Sequence, residues 1–212
     1  MPLVHPDRYF DRLSSVNIKR DLIGCGLHYV MLDVDNTVQS RADNCIPRDV
    51  RVWVARAKDA GVSIVLLSNS WHATTREYGA ELDLPVVMRA LKPTPFGVMR
   101  ALRVFNSKSE KSNNTKKSIE TRTDVRFLSG FDSINKHATT KNTVVIGDQV
   151  FTDVMCAHVC GMTSYLVAPL SKVNIKSAAW QRALEGVILQ DRVPEGACCE
   201  NCDNEVASST SS

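Results

Sequence analysis

Several apolar runs in this chain each stop on a polar cluster, and that pattern limits what it can fold into. Tyr29-Val30-Met31-Leu32 runs straight into Asp33-Val34-Asp35-Asn36-Thr37, and the run ending at Leu67 meets Ser68-Asn69-Ser70. Pro85-Val86-Val87-Met88 is soon followed by Lys92. Thr143-Val144-Val145-Ile146 leads into Gly147-Asp148, with Asp153 a little further on. The first two runs show no polar alternation, which suits strands covered on both faces in a parallel sheet.

Helical signals lie between these runs. Val50, Trp53, Val54 and Ala57 form a helical stripe, with Pro47 before it and Gly61 after it. Further helices are expected near 72–81, after Lys92-Pro93, over 151–161, and at 177–190, where Trp180, Ala183 and Val187 share a stripe. One more strand is expected in 163–169. Five or so strands alternating with helices predict an α/β fold, a doubly wound and mostly parallel sheet.

The stretch 106–142 breaks the pattern. It is rich in Ser, Thr, Asn and Lys, shows little periodicity, and holds eight basic residues against four acidic ones. It reads as a solvated, partly disordered insertion, with contact to an anionic surface or substrate as its functional alternative. The expected organisation is one domain over 1–190 that contains this insertion, followed by a polar tail at 191–212.

Composition narrows the classes of function. The chain is 43% hydrophobic and 23% charged, ordinary for a soluble globular protein. Its net charge of +3 is too small to argue for nucleic acid. No apolar run approaches the ~20 residues of a membrane span. The first residues carry scattered charges and no hydrophobic block, so they do not read as a secretory signal, and the expected location is cytoplasmic. Seven cysteines, an odd number, argue against a disulfide framework. Cys198, Cys199 and Cys202 in the tail offer only three thiols where zinc takes four ligands. Cys156 and Cys160 suit small core positions on one helix face.

In parallel sheets of this kind, ligands bind beyond the carboxyl ends of the strands. Asp33, Asp35, Ser68, Lys92, Asp148 and Asp153 are therefore expected to gather at one edge. Carboxylates so crowded repel and take up protons unless a cation joins them. An all-oxygen set without His or Cys suits Mg²⁺ better than zinc. A cation, a lysine, a hydroxyl and loop amides together make a site for a phosphoryl group. One carboxylate there can attack phosphorus, while its neighbour two residues on moves protons to the leaving oxygen and from water.

This constellation resembles the haloacid dehalogenase (HAD) superfamily of phosphatases. Asp33-Val34-Asp35-Asn36-Thr37 is similar to its first motif, Ser68-Asn69-Ser70 to its second, Lys92-Pro93 to its third, and Gly147-Asp148 through Asp153 to its fourth. The likeness spans roughly residues 6 to 190 outside the insertion, and most resembles the YqeG-type, subclass IIIA branch, which includes phosphatidylglycerophosphate phosphatases. Ser70 departs from the Asn frequent in that branch. The resemblance implies that Asp33 is the nucleophile and an Mg²⁺ ligand. Asp35 would be the general acid/base, with its carbonyl on the metal. Thr37, Ser68, Asn69 and Lys92 would serve the phosphoryl group, and Asp148 and Asp153 would complete the metal site.

Between Asp33 and Ser68, and between Ser68 and Lys92, there is room for only one helix and one strand each. No cap domain fits, and an open site suits a bulky substrate. Branch resemblance tilts this toward phosphatidylglycerophosphate at a membrane surface, with a reversible contact through Trp180 and Val187 or through the basic insertion. The alternatives are a soluble phosphatase for a phosphosugar, nucleotide or phosphoprotein, and a non-catalytic regulator acting through 106–142. A response-regulator receiver shares the acidic pocket, but it needs an Asp after its third strand, where this chain has Arg89-Ala90-Leu91-Lys92.

Overall fold

The computed structural model describes residues 4–42, 44–119, 137–171 and 194–195. The expected helix at 177–190 and the cysteines Cys198, Cys199 and Cys202 lie outside them. The strands are β1 (Arg8–Phe10), β2 (Tyr29–Leu32), β3 (Ser63–Leu67), β4 (Val86–Val87), β5 (Thr143–Gly147) and β6 (Thr163–Val167). The helices are α1 (Arg48–Asp59), α2 (Thr74–Leu82), α3 (Phe96–Ile119) and α4 (Met155–Val159). The strands form one six-stranded sheet in the order β1-β6-β5-β2-β3-β4, and every pairing is parallel.

β2 lies in the interior because it has no face to spare. Val30 and Leu32 enter one apolar cluster with Leu13, Val16, Trp53, Val54 and Leu66. Tyr29 and Met31 enter the opposite cluster with Val65, Val98, Ala101, Phe105 and Val145. Period-two geometry sends neighbouring residues to opposite faces, so an unbroken apolar run is needed to fill both.

The α1 stripe behaves as its spacing predicts. Val50, Trp53, Val54 and Ala57 are all buried, each large side chain contributing about 1.5–3 kcal/mol. Pro47 sits at the N-cap with φ −61°, and Gly61 follows the helix with φ +81°. The Trp53 indole N–H donates to the Val16 carbonyl at 2.8 Å and so ties the N-terminal segment to α1.

Two elements depart from expectation. β1 is a three-residue edge strand, too short to show a period; it is held by β6 and by a bridge between Phe10 and Glu195. α3 runs on to Ile119, well into the stretch expected to be irregular. Val98, Ala101 and Phe105 anchor its first turns in the core. Once nucleated there, a helix gains one hydrogen bond per added residue without needing further apolar contacts.

The order of the strands sets the position of the site. From β2 the chain moves outward through β3 and β4, then returns to the other side of β2 for β5 and β6. The connections diverge between β2 and β5, which opens a crevice at their carboxyl ends. Among the described residues, β2 and β3 are joined through α1 and β3 and β4 through α2, with no inserted domain above the crevice.

Candidate active site

Asp33 and Asp148 end the two strands that flank the crevice. Asp33 N–H donates to the Ile146 carbonyl at 2.8 Å, which continues the β2–β5 ladder into the site. Asp153 arrives from a wide helical turn, Val150–Val154, that precedes α4. Its carboxylate accepts from the Gln149 N–H at 3.2 Å and the Thr152 hydroxyl at 3.3 Å. Carboxylate oxygens of Asp33, Asp148 and Asp153 lie within 4.8 Å of one another, and all three residues are buried.

Gly147 makes that approach feasible. A Cβ there would lie 2.3 Å from the Asp153 carboxyl carbon, so any side chain would push the acid out of the cluster.

Lys92 enters from the other flank of β2. Its buried ammonium donates to Asp33, to Asp153 at 2.6 Å and to the Leu67 carbonyl at 3.0 Å. Burial pushes the Asp33 pKa up, and the Asp153 and Asp148 charges add to that while Lys92 opposes it. Burial works against the charged form of Lys92 too, yet the Asp153 and Asp33 carboxylates outweigh it and raise its pKa. Three carboxylates against one ammonium leave a formal charge of about −2, which a divalent cation would balance. The donors are all oxygen, so these three residues fit a hard divalent metal.

The loop that bears Lys92 has an unusual backbone. Arg89 and Leu91 have φ of +51° and +55°, a left-handed conformation costing of order 1–3 kcal/mol in a non-glycine residue, and the Lys92–Pro93 peptide is cis. The Asn69 side chain compensates by clasping Lys92. Its carbonyl oxygen accepts from the Lys92 N–H at 2.8 Å, and its amide donates to the Lys92 carbonyl at 3.1 Å. The Asn69 side chain is thus engaged in positioning the lysine. Ser68 is fully buried, and its hydroxyl accepts from the Ser70 N–H at 3.0 Å.

Asp35 is not brought into the acid cluster. It is half-buried, and its carboxylate accepts from the Gln39 side-chain amide at 3.3 Å. Thr37 is buried, and its hydroxyl has no hydrogen-bond partner among the described residues. Of the residues expected at the sheet edge, the structure therefore brings Asp33, Lys92, Asp148 and Asp153 into direct association and sets Asp35, Thr37, Ser68 and Asn69 on the adjoining loops.

Sequence reasoning missed Asn36. It is fully buried with φ +65°, and its side chain exchanges hydrogen bonds with Ser171: Oδ1 accepts from the Ser171 N–H at 3.1 Å and hydroxyl at 2.7 Å, and Nδ2 donates to the Ser171 carbonyl at 3.0 Å. Asn tolerates the left-handed turn that re-aims the chain after Asp35. That tolerance was a readable signal; the partner was not.

A groove of about 900 Å³ between residues 14–19 and α1 shares no residue with the acid cluster. Among the described residues, no helix is long and apolar enough to cross a membrane.

A model of the HAD-hydrolase-like family matches residues 90–169, a span that takes in Lys92, Asp148 and Asp153. The probable phosphatase YqeG of Bacillus subtilis (strain 168) is 25% identical over 161 residues, 76% of this chain and 75% of that protein. Among solved structures, the cobalt-bound deoxy-D-mannose-octulosonate 8-phosphate phosphatase YrbI of Haemophilus influenzae is 13% identical, with 78% of this chain and 88% of that one covered and a TM-score of 0.38. A protein from Listeria monocytogenes serotype 4b is 10% identical, with coverage of 79% and 100% and a TM-score of 0.40. The family match spans the lysine and two of the acids, and the YqeG likeness extends over most of the chain.

Proposed function

We propose that the chain is a phosphatase that hydrolyses phosphomonoesters through a phosphorylated Asp33. The observation that carries this reading is the buried set of Asp33, Asp148 and Asp153 with Lys92 between two of them. In the first step an Asp33 oxygen attacks phosphorus and the bond to the ester oxygen breaks, while Asp35 gives that oxygen a proton. In the second, Asp35 takes a proton from water, the water oxygen attacks the aspartyl phosphate, and inorganic phosphate leaves with Asp33 restored. Asp35 suits proton transfer because it stands outside the lysine-bound cluster and is half-exposed. Lys92, the Ser68 and Thr37 hydroxyls and the Asn69 backbone N–H are assigned to the phosphoryl oxygens.

Asp33, Asp148 and Asp153 would hold Mg²⁺, with the Asp35 carbonyl as a further ligand. When bound, the ion supplies positive charge against the phosphoryl oxygens.

The substrate we assign is phosphatidylglycerophosphate, presented at a membrane surface. A crevice with no inserted domain above it among the described residues, together with the YqeG-type motifs, supports a bulky headgroup substrate. The test is phosphate release from phosphatidylglycerophosphate in mixed micelles, with and without Mg²⁺, beside a panel of soluble phosphoesters and with Asp33→Asn as the blank. Mg²⁺-dependent turnover of the lipid well above the panel is expected. Turnover confined to soluble esters would remove the lipid assignment and keep the chemistry. No turnover by folded, metal-bound protein would remove both.

A further inference from the structure

Among the described residues, apolar exposure gathers on segments next to the crevice loops. Trp71 is 70% exposed, Phe96 66%, Leu91 55% and Met99 50%; among the described residues the other exposed large hydrophobics are Val52 and Val159. Trp71 follows Ser70 directly, Leu91 precedes Lys92, and Phe96 and Met99 lie on the first turn of α3. A turn closed by Thr94 N–H on the Leu91 carbonyl, at 2.8 Å, links Leu91 to the start of α3. These side chains border the loops that carry the second and third motifs.

Guanidinium groups are interleaved with them. Trp71, Arg76, Met88, Arg89 and Arg100 line one open depression of about 380 Å³. The Arg89 guanidinium stacks 4.7 Å from the Trp71 ring centroid, and Arg100 donates to the Met88 carbonyl at 2.9 Å. From Leu84 to Ser107 the chain has Arg89, Lys92, Arg100 and Arg103 and not one Asp or Glu. The residues lining the depression are therefore apolar or positively charged.

We propose that this face docks on an anionic lipid bilayer, with Trp71, Leu91, Phe96 and Met99 among the upper acyl carbons and Arg76, Arg89 and Arg100 on headgroup phosphates. Indole rings and arginine stems suit that boundary, each apolar along its body and polar at its tip. Each arginine gains from the negative surface potential. A protein partner is generally fixed in register by charges of both signs, whereas the lining of the depression carries only arginines. Docking here sets the open end of the crevice against the headgroup layer. It also differs from the contact that the sequence suggested through Trp180 and Val187 or the basic insertion. The inference rests on the lipid reading of the site, so docking is measured apart from turnover.

The experiment is flotation of the full chain, as wild type and as Asp33→Asn, with vesicles of phosphatidylcholine alone or with phosphatidylglycerol added. Retention by the anionic vesicles only, reversed by salt, is expected. Tryptophan emission should shift to shorter wavelength on binding, and Trp71→Phe should lose most of that shift. Phe96→Ser with Met99→Ser should abolish retention while leaving circular dichroism and thermal unfolding near wild type, since both side chains are exposed. Arg76→Ala with Arg89→Ala should weaken partitioning on the order of thirtyfold. No retention by anionic vesicles, retention indifferent to these substitutions, or self-association through Trp71 would each overturn the proposal. Retention without phosphate release from phosphatidylglycerophosphate added to the vesicles would uphold docking and remove the lipid substrate. Turnover of a soluble ester without retention would overturn docking and leave the phosphatase.

Discussion

Asn69 and Lys92 hold each other by two opposed hydrogen bonds, side-chain carbonyl to backbone N–H at 2.8 Å and side-chain amide to backbone carbonyl at 3.1 Å. The residue after Ser68 thus determines where the lysine loop sits. Asn69→Ala removes both bonds and should cost about 1–2 kcal/mol of stability. It should lower kcat by roughly 10- to 100-fold through a displaced ammonium, with KM changed less. Steady-state kinetics beside urea unfolding would check this, and an unchanged kcat would show that the lysine loop holds its place unaided.

Lys92 answers for two buried carboxylates. Lys92→Ala should destabilise the metal-free protein by about 3–5 kcal/mol, because Asp33 and Asp153 lose their shared counter-charge. Mg²⁺ should then raise the melting temperature of the variant more than that of the wild type, by ordinary linkage between binding and folding. Thermal unfolding across an Mg²⁺ series measures this; equal shifts in both proteins would place the ion away from these acids.

Gly147→Ala tests the packing of Asp153. The new methyl would stand against the carboxyl at less than van der Waals distance, and relief requires the acid to move. The expected cost is about 1–3 kcal/mol, with weakened Mg²⁺ affinity and lost turnover. Calorimetric titration with Mg²⁺ would read the affinity directly.

Acid should loosen the N-terminal segment first. Asp21 is fully buried. Burial pushes its pKa up, but hydrogen bonds from Arg20, Arg8 and the Asn17 N–H outweigh this and hold it at about 2. A depressed carboxylate stabilises the fold above its unfolded value near 4, and that contribution drains away as pH falls from there toward about 2. The amount is about 2 kcal/mol. Asp21→Asn should be less stable than wild type at neutral pH, with the gap closing over that window. Denaturant unfolding at a series of pH values tests it, and a constant gap would assign the stabilisation to packing.

The sheet edge was legible because each element of it is local. Asp33, Asp148 and the α1 stripe announce themselves by an apolar run, a polar stop or a helical period, and the structure sets them as those patterns require. Relations between distant residues were not legible. Nothing near Asn36 points to Ser171, and nothing in Asn69 reveals that its side chain serves Lys92. β1 was hidden by its length, since three residues carry no period, and its burial depends on β6 at the far end of the chain. α3 outran its apolar stripe because helix propagation does not need one. The exposed face around Trp71 was invisible for the opposite reason: in sequence its members look like ordinary core residues.

The central position of β2 also governs when the site can exist. Val30 and Leu32 stand in register with Val144 and Ile146, and Asn36 awaits Ser171, which lies 135 residues downstream. During synthesis the ribosome fixes the order of events: Asp33 emerges before Lys92, and Lys92 before Asp148 and Asp153. Long-range parallel pairing of this kind is slow to form, because loop closure must precede the contacts that reward it. The nascent chain therefore carries its acids apart until β5 has followed β2 out, and they come together only once those two strands pair.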